Sequence, residues 1–284
     1  MRFEISHTTV YTFSRPVFLE PHTVRLRPRC DGTQHLLRFA LEIEPQSAGL
    51  SEGLDAEGNA AAHVWFGGLT DRLSVATRVA VETLRENPFD YVLGGPANDC
   101  LPMTYPDGLR PSLEPFLSRE KPDPGIDAFA RAVAAEEGMR PLAFLRALNR
   151  RITETCRMVV REEGEPQPPE VTLTKERGAC RDLAVLFMDA CRALGLAARF
   201  VSGYQEGDPS GGRRDLHAWA EVYLPGGGWR GYDPTLGLAV ADRHVALAAG
   251  SHPSLAAPIT GTFRGAGASS RLEAHIQIEV SPGS

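Results

Sequence analysis

Alternation of apolar and polar positions dominates the first third of the chain. From 36 to 44, Leu37, Phe39, Leu41 and Ile43 alternate with Arg38, Ala40, Glu42 and Glu44. From 74 to 84, Val75, Thr77, Val79 and Val81 alternate with Ala76, Arg78, Ala80 and Glu82. A period of two with one polar face predicts half-buried antiparallel strands. Shorter strands are expected near 2–12, 22–28 and 61–67, with turns at Asp31-Gly32 and Glu57-Gly58-Asn59. Residues 1–84 thus read as a β-sandwich-like N-terminal domain, with a scaffold role favoured over a substrate platform.

The period becomes helical after residue 124. Ile126, Phe129, Ala130 and Val133 share one face of a helix over 124–137. Pro141 is placed to open a second helix with the stripe Leu142, Leu145, Leu148 and Ile152. Between these helices and the β-rich part, residues 85–123 are rich in Pro and Gly and read as an irregular connector. Cys100 lies there with no base or helix start beside it, and reads as structural. Residues 157–161 read as a short strand and 162–177 as a solvated loop.

A helix then begins near Cys180. Leu183, Leu186, Phe187, Ala190 and Leu194 fall at helical spacing, and Ala184, Val185, Met188 and Cys191 make the other side apolar too. Such a helix is expected to be buried centrally and to end at Gly195. Strands are expected over 197–204, 215–224 and 229–233, the last two joined by a hairpin turn at Pro225, Gly226, Gly227 and Gly228. A short helix is expected over 242–250. Strands over 259–263 and 272–280 are expected to extend the same sheet. The fold class is α+β: a helix packed on an antiparallel sheet in a domain spanning 124–284, preceded by the β-sandwich-like domain.

Three residues of this second part suggest chemistry. A thiol at a helix N-terminus meets unpaired backbone N–H groups and the positive end of the helix dipole, which favour thiolate. Taken alone, Cys180 reads more readily as a small buried residue closing a helix. His217 and Asp233 change that balance. His217 lies near the start of one strand and Asp233 at the end of its antiparallel neighbour, so the hairpin sets them side by side. A carboxylate beside an imidazole fixes its tautomer and stabilises the imidazolium. Trp219, Glu221 and Tyr223 share the His217 face. Trp219 could shield the trio or simply pack in the core. Glu221 is expected to pair with an arginine. Asp182, in the first helical turn, suits the dipole more readily than it suits catalysis.

The ordered set GACRD, HAWAEVYLPGGGW and DPT resembles the bacterial transglutaminase-like superfamily, over roughly residues 125–240. The run FSRPVFLEPHTVRLRPR resembles the N-terminal region that accompanies this bacterial subfamily. The resemblance implies a papain-like fold with Cys180 as nucleophile, His217 as base and Asp233 as its orienting carboxylate. It implies acyl transfer on peptide or protein amides through a thioester, by hydrolysis or by crosslinking to an amine. No cofactor is implied. Two other classes stay open: a scaffold that kept only the fold, and a zinc site. The second is disfavoured because Cys180, His217 and Asp233 lie far apart, without the clustered histidines of a zinc enzyme. The remaining histidines, at 7, 22, 35, 63, 244, 252 and 275, stand singly and read as surface or structural.

Composition narrows the rest. A net charge of −6 argues against nucleic acid or anionic membrane as partner. Five dispersed cysteines without a CxxC pair fit a reducing compartment better than a disulfide framework. No stretch reaches the roughly 18 apolar residues of a membrane span. The alternating start MRFEISHTTVYTF lacks the apolar core of a signal peptide. A cytoplasmic location is the resulting expectation. The glycine-rich stretch 207–212 is a candidate mobile cleft loop or a passive hairpin.

Overall fold

The computed structural model describes residues 1–94, 100–161, 164–207 and 215–283. The stretch 207–212 lies almost wholly outside them. Strands come first: β1 (Arg2–Leu19), β2 (His22–Val24), β3 (Gln34–Glu44), β4 (Gly49–Leu54), β5 (Ala60–Trp65) and β6 (Leu69–Thr83). Helices α1 (Arg110–Leu117), α2 (Pro124–Glu136) and α3 (Pro141–Thr155) follow, then β7 (Arg157–Met158), α4 (Pro169–Lys175) and β8 (Arg177–Gly178). The nucleophile candidate opens α5 (Cys180–Ala193). Next come β9 (Ala198–Gln205), β10 (His217–Leu224), β11 (Gly228–Asp233), β12 (Leu238–Ala239) and β13 (His244–Gly250). The last strands are β14 (Ile259–Thr260), β15 (Phe263–Arg264) and β16 (Ser270–Ser281). Among the described residues, no helix is long and apolar enough to cross a membrane.

The N-terminal strands form two sheets. One runs β15-β1-β6-β3, with β16 also on β1; the other runs β14-β2-β5-β4. Phe3, Ile5 and Val79 from the first sheet meet Val24 and Val64 from the second in one buried cluster. The alternation legible in the sequence is what allows this: every second side chain goes inward. The β1–β6 register shifts between Thr12 and Val17. Pro16 lies in that irregular stretch, where it costs no ladder hydrogen bond.

The second core lies between helices and a five-stranded antiparallel sheet ordered β12-β11-β10-β9-β13. Leu183, Leu186 and Phe187 of α5 pack against Ala218, Ala220 and Val222 of β10, and against Ile126, Phe144 and Leu148 from α2 and α3. Burial of each large apolar chain contributes about 1.5–3 kcal/mol. The small alanines of β10 let α5 lie close to the sheet. Tyr204, Val245 and Leu247 from this sheet complete the N-terminal core.

Four expectations are corrected. The connector 85–123 holds helix α1, and the expected loop 162–177 holds α4. Residues 242–250 contain a strand and no helix: all seven residues of β13 are buried. A short apolar run carries no period that separates a buried strand from a buried helix. The last strands do not extend the β12-β11-β10-β9-β13 sheet. β14 pairs with β2, while β15 and β16 pair with β1. Alternation identifies a strand but not its partner, and the 18-residue β1 offers a long edge. The expected unit 124–284 therefore includes strands that belong to the N-terminal sheets.

Two side chains tie the units together at the outer edge of β13. Gln34 bonds the N–H and C=O of Ala246, and Asn59 bonds the N–H and C=O of Ala249. Each carboxamide imitates a neighbouring strand and satisfies backbone groups that an edge would leave open.

Candidate active site

Gly178 and Ala179 bring the chain onto α5 with little bulk. A Cβ on Gly178 would stand 2.7 Å from the Asp182 Cβ, so the close approach requires glycine. Ala179 caps the helix and Cys180 is its first residue. Asp182 turns back and accepts the Ala179 N–H at 2.8 Å, which is one half of a capping box. The same carboxylate accepts the Gln167 N–H at 2.8 Å, Gln167 Nε2–H at 2.9 Å and Arg161 Nη2–H at 2.6 Å. Burial alone would raise the Asp182 pKa, but the bonds from Gln167 and Ala179 and the Arg161 charge hold it below its ordinary value. Asp182 thus fastens the preceding loop to the helix start. Cys180 is left half-buried above it.

His217 opens β10 opposite Gly203 of β9. Asp233 closes β11, two strand positions beyond Gly231, which pairs with Glu221. The hairpin sets strand start beside strand end, and His217 Nε2 lies 2.6 Å from Asp233 Oδ2. A carboxylate can only accept, so Nε2 carries the hydrogen. Nδ1 is then left on the side open to Cys180, which stands near enough at the start of α5 to act on the charge of the ring. The three expected residues are therefore brought together.

The electrostatics follow from burial and pairing. Burial pulls the His217 pKa down. The hydrogen bond and charge of Asp233, with the Cys180 contact, outweigh it and raise the group to about 10. Asp233 is fully buried, which alone would raise it; the charge of His217 and bonds from both neighbouring histidines hold it far below the carboxylate range. Its Oδ1 accepts the N–H groups of Thr235 at 2.9 Å and Leu236 at 3.3 Å. Both oxygens are thus occupied.

One of those histidines was not singled out from the sequence. His244, the first residue of β13, is 5% exposed and its Nε2 lies 3.0 Å from Asp233 Oδ2. No sequence signal marked it: it stands alone, in a run whose periodicity did not identify a strand.

Trp219 is 1% exposed. Its ring stacks on His217, centroids 6.3 Å apart, and meets the His244 ring edge-on at 5.2 Å. It packs with Val201, Ala246 and Ala249, so it is both core and wall of the histidine pair. A Cβ on Gly203 would run into this indole and the Val245 carbonyl. Glu221 lies further along the strand and bonds Arg199 at 2.7 Å, with Arg29 at 3.8 Å. It links the sheet to the segment leaving β2.

His217 Nε2, His244 Nε2 and Asp233 Oδ2 lie within 4.8 Å of one another. Two ligands of one tetrahedral zinc, bound at about 2.0–2.1 Å, would stand roughly 3.3 Å apart. The observed 2.6 and 3.0 Å separations are hydrogen-bond distances, so the trio is spaced to share protons.

Residues 127–234 match the sequence model of the Transglutaminase-like superfamily, and residues 3–82 match that of the Bacterial transglutaminase-like N-terminal region. An uncharacterised protein of Mycobacterium tuberculosis is 30% identical over 274 residues, covering 92% of this chain and 87% of its own. A Protein-glutamine gamma-glutamyltransferase of Pseudomonas aeruginosa is 39% identical over 69 residues, covering 22% of this chain and 10% of its own. Among solved structures, a Cytophaga hutchinsonii protein provisionally assigned as a cysteine protease superposes with a TM-score of 0.72 at 21% identity, covering 100% of this chain and 92% of its own. That likeness is one of fold.

Proposed function

The chain belongs to the transglutaminase-like superfamily, and from that premise we propose that it is a cysteine-dependent acyl-transfer enzyme whose main reaction is hydrolysis of a peptide or protein amide. The observation that supports this reading is the convergence on one imidazole. His217 is held by Asp233 at 2.6 Å, and Cys180 stands near enough at the helix start to act on the same ring.

In this reading the Cys180 thiolate adds to the amide carbonyl carbon. The carbonyl oxygen takes up negative charge at the N-terminus of α5, where the Cys180 N–H is one donor. His217 Nδ1–H gives its proton to the amide nitrogen, the C–N bond breaks and the amine leaves. Water then attacks the thioester while His217 takes its proton. The C–S bond breaks, which releases the carboxylic acid and restores the thiolate. Asp233 holds the imidazolium throughout without taking a proton.

A second reading replaces water with a primary amine, which would crosslink a glutamine-type amide. The stretch similar to the Pseudomonas transferase favours it. The test is an amide-substrate library offered to wild type and Cys180→Ala, with and without an added primary amine. Turnover lost in the variant supports the reading. Product carrying the amine selects transfer over hydrolysis. Equal turnover in the two proteins overturns both.

A further inference from the structure

We propose that His244 is a positioning residue that shares Asp233 Oδ2 with His217 and thereby weakens the hold of Asp233 on the His217 proton. The inference rests on the proposed acyl-transfer role of His217 and extends that site by one residue.

The geometry carries it. Asp233 Oδ2 receives Nε2–H from His217 at 2.6 Å and from His244 at 3.0 Å. The opposite oxygen is pinned by the Thr235 and Leu236 N–H groups, so the carboxylate keeps its orientation without His244. What His244 adds is competition for the electrons of one oxygen. A second donor on that oxygen spreads its charge, and each donor is held less strongly. Burial makes the effect large, since Asp233 is 0% and His244 5% exposed.

The competition matters because a general acid must release its proton. Asp233 and Cys180 already hold His217 up at about 10, well above the range in which an imidazole readily protonates a leaving amine. A lone buried carboxylate would hold it further up still. The His244 side chain is kept in place by the Trp219 ring edge at 5.2 Å and by the Gln205 pairing of β13 on β9. Among the described residues, the titratable groups near the trio include Arg181, whose charge acts on Cys180. Cys180 faces His217 from α5. The neighbouring Glu206 and Arg243, at the β9 and β13 ends, pair with each other at 3.4 Å. Tyr204 on β9 turns the other way, onto His7.

The test uses the full chain and needs no substrate. Nitrogen-15 NMR follows the His217 Nε2–H resonance and the titration midpoint of the ring in wild type, His244→Leu and His244→Gln. The glutamine amide can replace the Nε2–H donor; leucine cannot. In His244→Leu the His217 Nε2–H resonance moves downfield and the midpoint rises by about half a pH unit or more. In His244→Gln both return toward wild type. A resonance that stays in place or moves upfield in His244→Leu overturns the proposal, as does a glutamine variant that behaves like leucine. If the leucine variant does not fold, His244→Gln and His244→Asn serve instead: Asn is too short to reach Oδ2 and should show the downfield shift alone. The two claims fail separately. Loss of the enzyme reading would appear as amide turnover independent of Cys180, whatever the His217 resonance does.

Discussion

Gln34 grips Ala246 by both polar atoms of its backbone. Its Oε1 accepts the Ala246 N–H at 2.8 Å, and its Nε2 donates to the Ala246 carbonyl at 2.9 Å. The two residues lie 212 positions apart, and Gln34 is 2% exposed. Ala246 stands two residues beyond His244, so the N-terminal sandwich reaches the candidate site through this contact. Gln34→Ala leaves a buried donor and a buried acceptor with one partner fewer each. The Ala246 carbonyl keeps the Arg29 N–H at 3.0 Å, so the Ala246 N–H is the group left stranded, and we expect a loss of about 1–3 kcal/mol in urea denaturation. A loss below about 0.5 kcal/mol would show the clamp to be dispensable.

The Asp182 carboxylate is the second buried hub. Four donors converge on it from Arg161, Gln167 and Ala179. Asp182→Asn keeps the volume but turns an NH₂ toward groups that can only donate. We expect about 3 kcal/mol of destabilisation. Labelling of Cys180 should also slow, because the helix start loses its tie to residues 161–167. Unchanged chemical stability would reduce Asp182 to an ornament of the helix dipole.

Sequence reading worked where local pattern and local topology coincide. Cys180 is marked by the helix it opens, and His217 and Asp233 by a hairpin whose turn residues are unmistakable. Each of those signals spans fewer than twenty residues. Failures came where the information is long-range. The alternation over 272–280 announces a strand but says nothing of β1, some 260 residues away. Gln34 and Asn59 look like ordinary polar residues at turns, since their partners Ala246 and Ala249 carry no polar side chain. His244 needed the position of β13, and an apolar run of that length fits a strand or a helix equally. Asp182 and Glu221 were visible as charged residues, while their arginine partners were not.

Two histidines displaced in opposite directions should shape the dependence of stability on pH. His7 is fully buried between Tyr204 and Thr9, and burial lowers it to about 4. Unfolding frees it to bind a proton between about 4 and its ordinary value, so its contribution is complete above 6.5 and is lost as pH falls toward 4. His217 runs the other way. Raised to about 10, it contributes fully below 6.5 and its contribution is lost as pH climbs through 10. Each could reach a few kcal/mol, because every tenfold change in proton affinity on folding is worth about 1.4 kcal/mol. Thermal melts should therefore peak near pH 6–7. His7→Gln should flatten the acid limb down to the carboxylate range, and His217→Ala the alkaline limb. Limbs that survive both substitutions would assign the dependence to other groups.

The thiol itself offers the most direct check of the catalytic pair. At pH 6 an ordinary cysteine, with a pKa near 8.5, is less than about 1% thiolate. Cys180 sits at a helix N-terminus beside an imidazole that Asp233 keeps protonated, and a positive helix end and a cation both attract the negative charge of a reacting sulfur. Iodoacetamide should alkylate it at pH 6 at least about tenfold faster than an ordinary thiol. The chain supplies its own standard in the exposed Cys100, whereas Cys30 contacts His35 Nδ1 at 3.8 Å. Peptide mapping after a timed pulse would then rank Cys180 above Cys100. In His217→Ala the advantage should fall by about tenfold or more, because the counter-charge is gone while the helix remains. In Asp233→Asn it should fall part of the way, since the amide can still orient the ring but holds no charge against it. If Cys180 labels no faster than Cys100 in wild type, the thiol and the imidazole do not form an ion pair, and the protein would be left with the fold of a cysteine enzyme and without its reactive centre.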